Sequence, residues 1–241
     1  MITSRQNSFI KSVRALADKK ARDKASQYVA EGVKMVKEAL STVPDDVLFV
    51  VGVPEKLSLI YIPEPKKVEV TPQVFLSVSN EVSPEGILAV MKKPIKKICS
   101  PTGKCLFLDG VSDPANVGAI IRTAVCAGYK DIYCASCADP FSPKSVRASM
   151  GGIYRVNIFQ GETYELLNAI DIPLVVADMN GTSVYDFSCR TDFCLVVGNE
   201  ANGVSEQLKE KSDFTVSIPM ENGMESLNVS VATGILMYLL K

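Results

Sequence analysis

The residues of this sequence best placed to do chemistry lie in three loops, each following an apolar run. The first is Asp109-Gly-Val-Ser-Asp-Pro-Ala-Asn-Val-Gly-Ala-Ile-Ile-Arg-Thr-Ala124. Asp113-Pro114 turns the chain, Asn116 stands where it can cap a helix, and Arg122 follows within two helical turns. A guanidinium there is costly to bury unpaired, so it needs an acid or a phosphate. The second loop, Val197-Gly-Asn-Glu-Ala-Asn-Gly-Val-Ser205, sets Gly198 and Gly203 around Glu200. The glycines let a ligand approach the backbone, and Glu200 is an available partner for Arg122. The loop is not G-x-G-x-x-G, so a dinucleotide fingerprint is unsupported. The third runs from Ile218 to Ala232 and gathers Ser226, Asn228 and Ser230 at the start of an otherwise apolar helix. Capping explains one of these polar residues and leaves a surplus. Taken singly, each loop suits an ion pair, a tight turn or a capped helix about as well as a ligand site.

Composition narrows the chemistry. The 241 residues include no histidine, which removes every Ser-His and Cys-His mechanism and the usual general base. Most of the seven cysteines sit in apolar runs, where a reduced thiol behaves as a small hydrophobe. Cys134-Ala-Ser-Cys137 has no second pair and no histidine to complete a zinc site, so no metal is expected. No apolar stretch approaches the roughly 20 residues that cross a bilayer, and the N-terminus lacks a signal region; a cytoplasmic protein without a membrane partner is expected. The net charge of −1 hides a division. Residues 1–100 carry 16 Lys+Arg against 11 Asp+Glu, and the rest carry 10 against 16. Seven basic residues fall within positions 1–24, as suits either a polyanion-binding surface or a solvated helix face.

The elements that must position these loops follow from periodicity. Residues 1 to about 40 read as helical, with Ile10, Val13, Leu16 and Ala17 at helical spacing and a second run at Val33, Val36 and Leu40. Apolar runs at 47–52, 68–71 and 87–91, punctuated by prolines, complete a small α/β domain over 1–95. The basic stretch Lys92–Lys104 lacks periodicity and places a linker at 96–104. From 105 to 241 apolar strands alternate with helices, as in a parallel sheet covered on both faces. Expected strands are Cys105–Asp109, Asp131–Cys134, Tyr154–Phe159, Pro173–Ala177, Phe193–Val197 and Phe214–Ile218. Expected helices are Val117–Ala127, Pro143–Met150, Tyr164–Ile170, Ser205–Lys209 and Ser226–Leu240. Such sheets bind ligands beyond the carboxyl ends of their strands, where the three loops lie.

Together the three loops, with Ser142-Pro-Lys-Ser-Val-Arg-Ala-Ser-Met-Gly151, resemble the signature of the SpoU (TrmH) branch of the SPOUT RNA methyltransferases. Ile2-Thr-Ser-Arg-Gln-Asn7 and Val29-Ala-Glu-Gly-Val33 resemble the substrate-binding domain, related to the L30 and L7Ae fold, that precedes the catalytic domain in part of this family. The resemblance implies an α/β catalytic domain with a C-terminal trefoil knot, a rare exception to unknotted chains. It implies S-adenosylmethionine held by backbone near Gly198, Ile218 and Leu227, a homodimer, and methylation of an RNA ribose 2′-OH. Arg122 would correspond to the arginine assigned as general base, although a guanidinium holds its proton at neutral pH and suits orienting the hydroxyl better. Glu200 would orient Arg122, and Asn116, Ser226 and Asn228 would hold the arginine, the ribose or a phosphate. Ribosomal RNA is the first expectation and transfer RNA the second. A non-catalytic RNA-binding assembly factor would have lost these polar positions, and a nucleotide-binding α/β enzyme would carry a phosphate-binding glycine motif.

Overall fold

The structure, a computed structural model, describes residues 1–240; Lys241, the last residue of the expected second domain, lies outside the described residues. In chain order the elements are α1 (Ser8–Ala15), α2 (Lys19–Ala25), β1 (Gln27–Glu31), α3 (Val33–Thr42), β2 (Val47–Gly52), α4 (Pro54–Leu57), β3 (Lys67–Glu69), α5 (Pro72–Phe75) and β4 (Ile87–Lys92). There follow β5 (Cys105–Asp109), α6 (Pro114–Ala127), β6 (Asp131–Ala135), α7 (Pro143–Ser149), β7 (Asn157–Gly161), α8 (Thr163–Leu167), β8 (Leu174–Ser183), β9 (Cys194–Val197), α9 (Glu206–Lys209), β10 (Phe214–Ser217) and α10 (Val229–Leu239).

The chain divides into two compact units, one of residues 1–95 with 141–154, the other of 96–140 with 155–241. The first unit is built on a four-stranded sheet, β1-β4-β2-β3, in which β4 runs antiparallel to β1 and β2. Ile10, Val13 and Leu16 of the first helical stretch bury against Val29, Val51, Leu88 and Val90 of that sheet. The expectation of helix throughout residues 1–40 fails at β1. Tyr28, Val29 and Ala30 are all buried, and β1 pairs with β4 from Gln27↔Lys92 to Glu31↔Leu88. Ser26 at φ +51 ends α2 and Gly32 at φ +105 turns the chain into α3, so local backbone and sheet pairing together override the helical period.

The second unit is a six-stranded sheet of order β10-β8-β9-β5-β6-β7, parallel throughout. Every residue of β5, β6 and β9 is buried, as a sheet covered on both faces requires. The chain walks from β5 through β6 to β7, then crosses to β8 and returns as β9 beside β5. This reversal opens a crevice at the carboxyl ends of β5 and β9, the topological switch point at which open α/β sheets take ligands.

Two features differ from the expected domain organisation. Helix α7 packs on β1 and belongs to the first unit, with Phe141 against Tyr28 (ring centroids 5.2 Å apart) and Tyr154 Oη donating to Met35 O at 3.4 Å. The expected linker at 96–104 is an ordered strap on the second unit. Thr102 donates from both N and Oγ1 to Asp131 Oδ2 at 2.8 Å, and Tyr133 Oη donates to Cys99 O at 2.7 Å.

At Gly198 the main chain doubles back on itself. A Cβ there would overlap the Gly203 carbonyl and the Val204 nitrogen, so no side chain fits. Asn199 and Gly203 exchange two backbone hydrogen bonds at 2.9 Å around this crossing. Gly198→Ala forces main chain apart, at a cost of about 3 kcal/mol. Its melting temperature is predicted to fall by roughly 6–12 °C in a chain of this size; an unchanged melting curve would refute the crossing.

Candidate active site

Asp109 closes β5, and its carboxylate accepts the Ser205 N–H at 2.7 Å, tying the first loop to the end of the second. Gly110, at φ +72, then turns the chain toward α6. Asp113 is the N-cap of α6, accepting the Ala115 N–H at 2.9 Å, with Pro114 at the first helical position. Asn116 therefore stands in the first turn of the helix and does not cap it, contrary to the expectation from sequence. Its side chain is free to point into the crevice.

Glu200 organises that crevice. Its Oε2 accepts the Ser112 N–H at 3.1 Å and the Ser112 hydroxyl at 2.9 Å, while Oε1 accepts the Asp113 N–H at 3.3 Å and the Asn116 amide at 2.9 Å. Partial burial pushes its carboxyl upward. The Asn116 amide and Ser112 N–H, its own backbone N–H and the Ser112 hydroxyl outweigh that and bring it from 4.5 to about 2. Charge-assisted bonds of this kind are the strong ones, so the carboxylate fixes the geometry between the loops after β5 and β9.

The network continues into the third loop. Asn228 Nδ2 donates to Asn116 Oδ1 at 3.1 Å. Asn228 Oδ1 accepts from Ser230 N (2.9 Å), Ser230 Oγ (2.6 Å) and Val231 N (3.4 Å), making Asn228 the N-cap of α10. Glu200, Asn116, Asn228 and Ser230 thus form one hydrogen-bonded chain across all three loops. Ser226 is exposed two residues before Asn228 and lies outside that chain.

Arg122 is exposed on α6, six residues beyond Asn116 and hence about a third of a turn around the helix from it. Among the described residues no ion pair joins it to Glu200, whose carboxylate is already satisfied by neutral donors; the pairing expected from sequence is replaced by these bonds. The same helix and α10 flank an open groove of about 540 Å³ lined by Ala119, Thr123, Ser230, Val231, Gly234 and Tyr238. Gly198 lies buried at the end of β9, Ile218 half-buried after β10, and Leu227 exposed before α10. All three stand at the carboxyl end of the sheet, on loops whose main chain carries little regular structure. Sequence reading passed over the clamping roles of Asp109, Ser112 and Asp113. The available signal was an acid closing an apolar strand and two hydrogen-bonding residues just before the helix.

Residues 103–238 match the SpoU rRNA methylase family, and residues 7–89 match the MRM3-like substrate binding domain. The chain belongs to the SpoU rRNA methylase family. It is 30% identical to the 23S rRNA (guanosine(2553)-2′-O)-methyltransferase RlmP of Bacillus subtilis, over 100% of this chain and 98% of that protein. It is 29% identical to the 23S rRNA (uridine(2479)-2′-O)-methyltransferase of Streptomyces viridochromogenes, over 98% and 90%. The crystal structure of an AdoMet-bound rRNA methyltransferase from Sinorhizobium meliloti superposes with a TM-score of 0.87 at 27% identity, over 99% of this chain and 95% of that one.

Because the Glu200 carboxyl is depressed in the fold, the stability it contributes is full above its ordinary value of 4.5 and is lost as pH falls toward about 2. Glu200→Gln is predicted to flatten the acid limb of a denaturation series between pH 4.5 and 2; a limb identical to wild type would show that the carboxylate is not held this way.

Proposed function

We propose that this protein transfers the methyl group of S-adenosylmethionine to a ribose 2′-OH in folded ribosomal RNA. The observation that carries the reading is the Glu200–Asn116–Asn228 chain, which joins three loops at the switch point and leaves the Arg122 guanidinium exposed. The full-length similarity to 23S rRNA 2′-O-methyltransferases supports the substrate class.

The crevice suits the cofactor. Ile218, Met220, Met224 and Leu227 offer apolar surface beside loop main chain, and α10 begins just beyond. Such a mixture fits a planar purine together with a polar amino-acid end, with Gly198, Ile218 and Leu227 as the backbone contacts. S-adenosylmethionine, when bound, supplies an electrophilic methyl on a sulfonium. The chain's own residues then have little covalent work to do, and positioning dominates. Arg122 presents five fixed donors suited to a phosphate and the ribose oxygen. Glu200 is saturated by donors and strongly acidic, so it holds Asn116 and the first loop in place and leaves the ribose proton alone. Asn116 and Asn228 fix the wall of the site, and Ser226 faces solvent where ribose or phosphate would enter.

A homodimer is supported by the groove between α6 and α10, along which Val231 is 50% and Tyr238 47% exposed. A knotted C-terminal region, as in the family, is supported by the family match over residues 103–238. The basic N-terminal stretch suits RNA recognised by shape and phosphates. No helix among the described residues is long and apolar enough to cross a membrane, and a cytoplasmic site of action is consistent with that.

The test is transfer of labelled methyl to ribosomal and transfer RNA from cells lacking this protein, with the modified ribose mapped. One methylated rRNA ribose is predicted; label confined to tRNA would overturn the substrate. Arg122→Ala should keep cofactor binding and lose transfer at least about a hundredfold. Turnover like wild type in that variant would remove Arg122 from the mechanism.

A further inference from the structure

The structure sorts the cations of the basic N-terminal stretch by what holds them. Arg22 is 3% exposed and donates from Nη1 to the Leu16 and Ala17 carbonyls, each at 2.8 Å, closing the turn between α1 and α2. Lys19 lies 3.8 Å from Asp23. Arg5 and Arg14 are held differently. Arg5 Nε donates to Gln73 O at 3.1 Å and Arg14 Nε to Ser77 O at 2.8 Å, one carbonyl within α5 and the other in the turn that ends it. Arg14 Nη2 also reaches Arg5 O at 3.5 Å, which sets the two residues side by side.

Both arginines are exposed, and among the described residues neither meets an acid. The acids nearest this face have other partners. Glu31 accepts the Ser79 hydroxyl and, at 3.0 Å, the Asn80 N–H, while Glu81 pairs with Arg147. Lys11 is exposed one helical turn before Arg14 on α1, likewise without an acid among the described residues. Ile10 and Val13 of α1 bury in one core with Val74 and Phe75 of α5, so the carbonyl anchors are fixed relative to the helix that carries Arg14. Satisfying two carbonyls takes one N–H from each arginine and no charge. The cation and the remaining Nη donors are left for a ligand.

We propose that Arg5 and Arg14, with Lys11 beside them, grip the phosphate backbone of a folded RNA element. The planar fork of a guanidinium matches two oxygens of one phosphate. Anchoring through Nε removes in advance much of the side-chain freedom that binding would otherwise cost. Two forks fixed on one rigid face fit phosphates at a set spacing, which a folded RNA backbone holds and a loose strand does not. Phosphate contacts fix register and orientation and carry no sequence information, so the pair sets how the substrate sits and leaves base choice to other groups. The inference deepens the ribosomal RNA reading above and rests on RNA being the substrate.

The test is binding of the full chain to protein-free ribosomal RNA across a salt series. Arg5→Gln and Arg14→Gln each keep a donor for the anchoring carbonyl and remove the charge. Each is expected to weaken binding several-fold and to lower the slope of log affinity against log salt by about 0.7–0.9. The KM for RNA should rise while kcat holds. Lys37→Gln, exposed on α3 outside the core that α1 and α5 share, should leave affinity and slope unchanged. A second measurement needs no variant: phenylglyoxal should modify Arg5 and Arg14 of the wild-type protein at least several-fold more slowly when the RNA is bound. Unchanged affinity and slope in both folded variants overturns the pair, as does equal modification of both arginines with and without RNA. A slope lowered as much by Lys37→Gln also overturns it, because diffuse positive charge would then be what binds. A wild-type protein that gives the expected binding results yet methylates no RNA supports the pair and defeats the methyltransferase reading instead.

Discussion

The carboxylate of Glu200 is the interaction on which the site depends. Four donors from Ser112, Asp113 and Asn116 converge on its two oxygens from a loop 84 to 88 residues earlier in the chain. No strand pairing can do this, because the loops after β5 and β9 leave the sheet where it stops. A charge satisfied wholly by neutral donors is a directional anchor, stronger than ordinary hydrogen bonds and demanding in geometry. It also explains why Arg122 stays available. The acid is occupied by amides and a hydroxyl, and the guanidinium stays exposed, as the proposed contact with a phosphate or ribose oxygen requires.

Everything beneath the clamp serves to bring the two loops side by side. Parallel β5 and β9 are neighbours because the chain reverses direction across the sheet. Their complete burial leaves the carboxyl ends as the places where polar groups can gather. Asp109 fastens one loop to Ser205, and Gly198 lets the chain double back against Gly203 without a side chain in the way. Asn228 then serves two purposes, capping α10 and continuing the network through Asn116. The surplus of polar residues at that helix start is therefore structural in part, with Ser226 exposed outside the network.

Much of the second unit is legible in the sequence because parallel, doubly covered strands are written as short apolar runs. Cys105–Asp109 coincides with β5, and the strands around Ile132, Val175, Val196 and Val216 stand where periodicity puts them. The first unit is less legible. Gln-Tyr-Val-Ala-Glu sits between two helical runs and becomes a strand through pairing with β4, a partner some 60 residues away. The allegiance of α7 to the first unit is likewise a tertiary fact with no local mark. In the site, residue types were legible and partners were not. Complementary charge suggested Glu200 with Arg122, whereas the fold supplies nearer neutral donors.

A double-mutant cycle of Asn116→Ala and Glu200→Ala, read in the rate of methyl transfer with folding of each variant verified, tests the clamp most directly. Residues that act as one unit are non-additive. The account predicts a coupling of about 1–3 kcal/mol, the double variant being little slower than the worse single one. Losses that simply add would mean that Glu200 and Asn116 act independently, and the carboxylate clamp could not be what assembles the site.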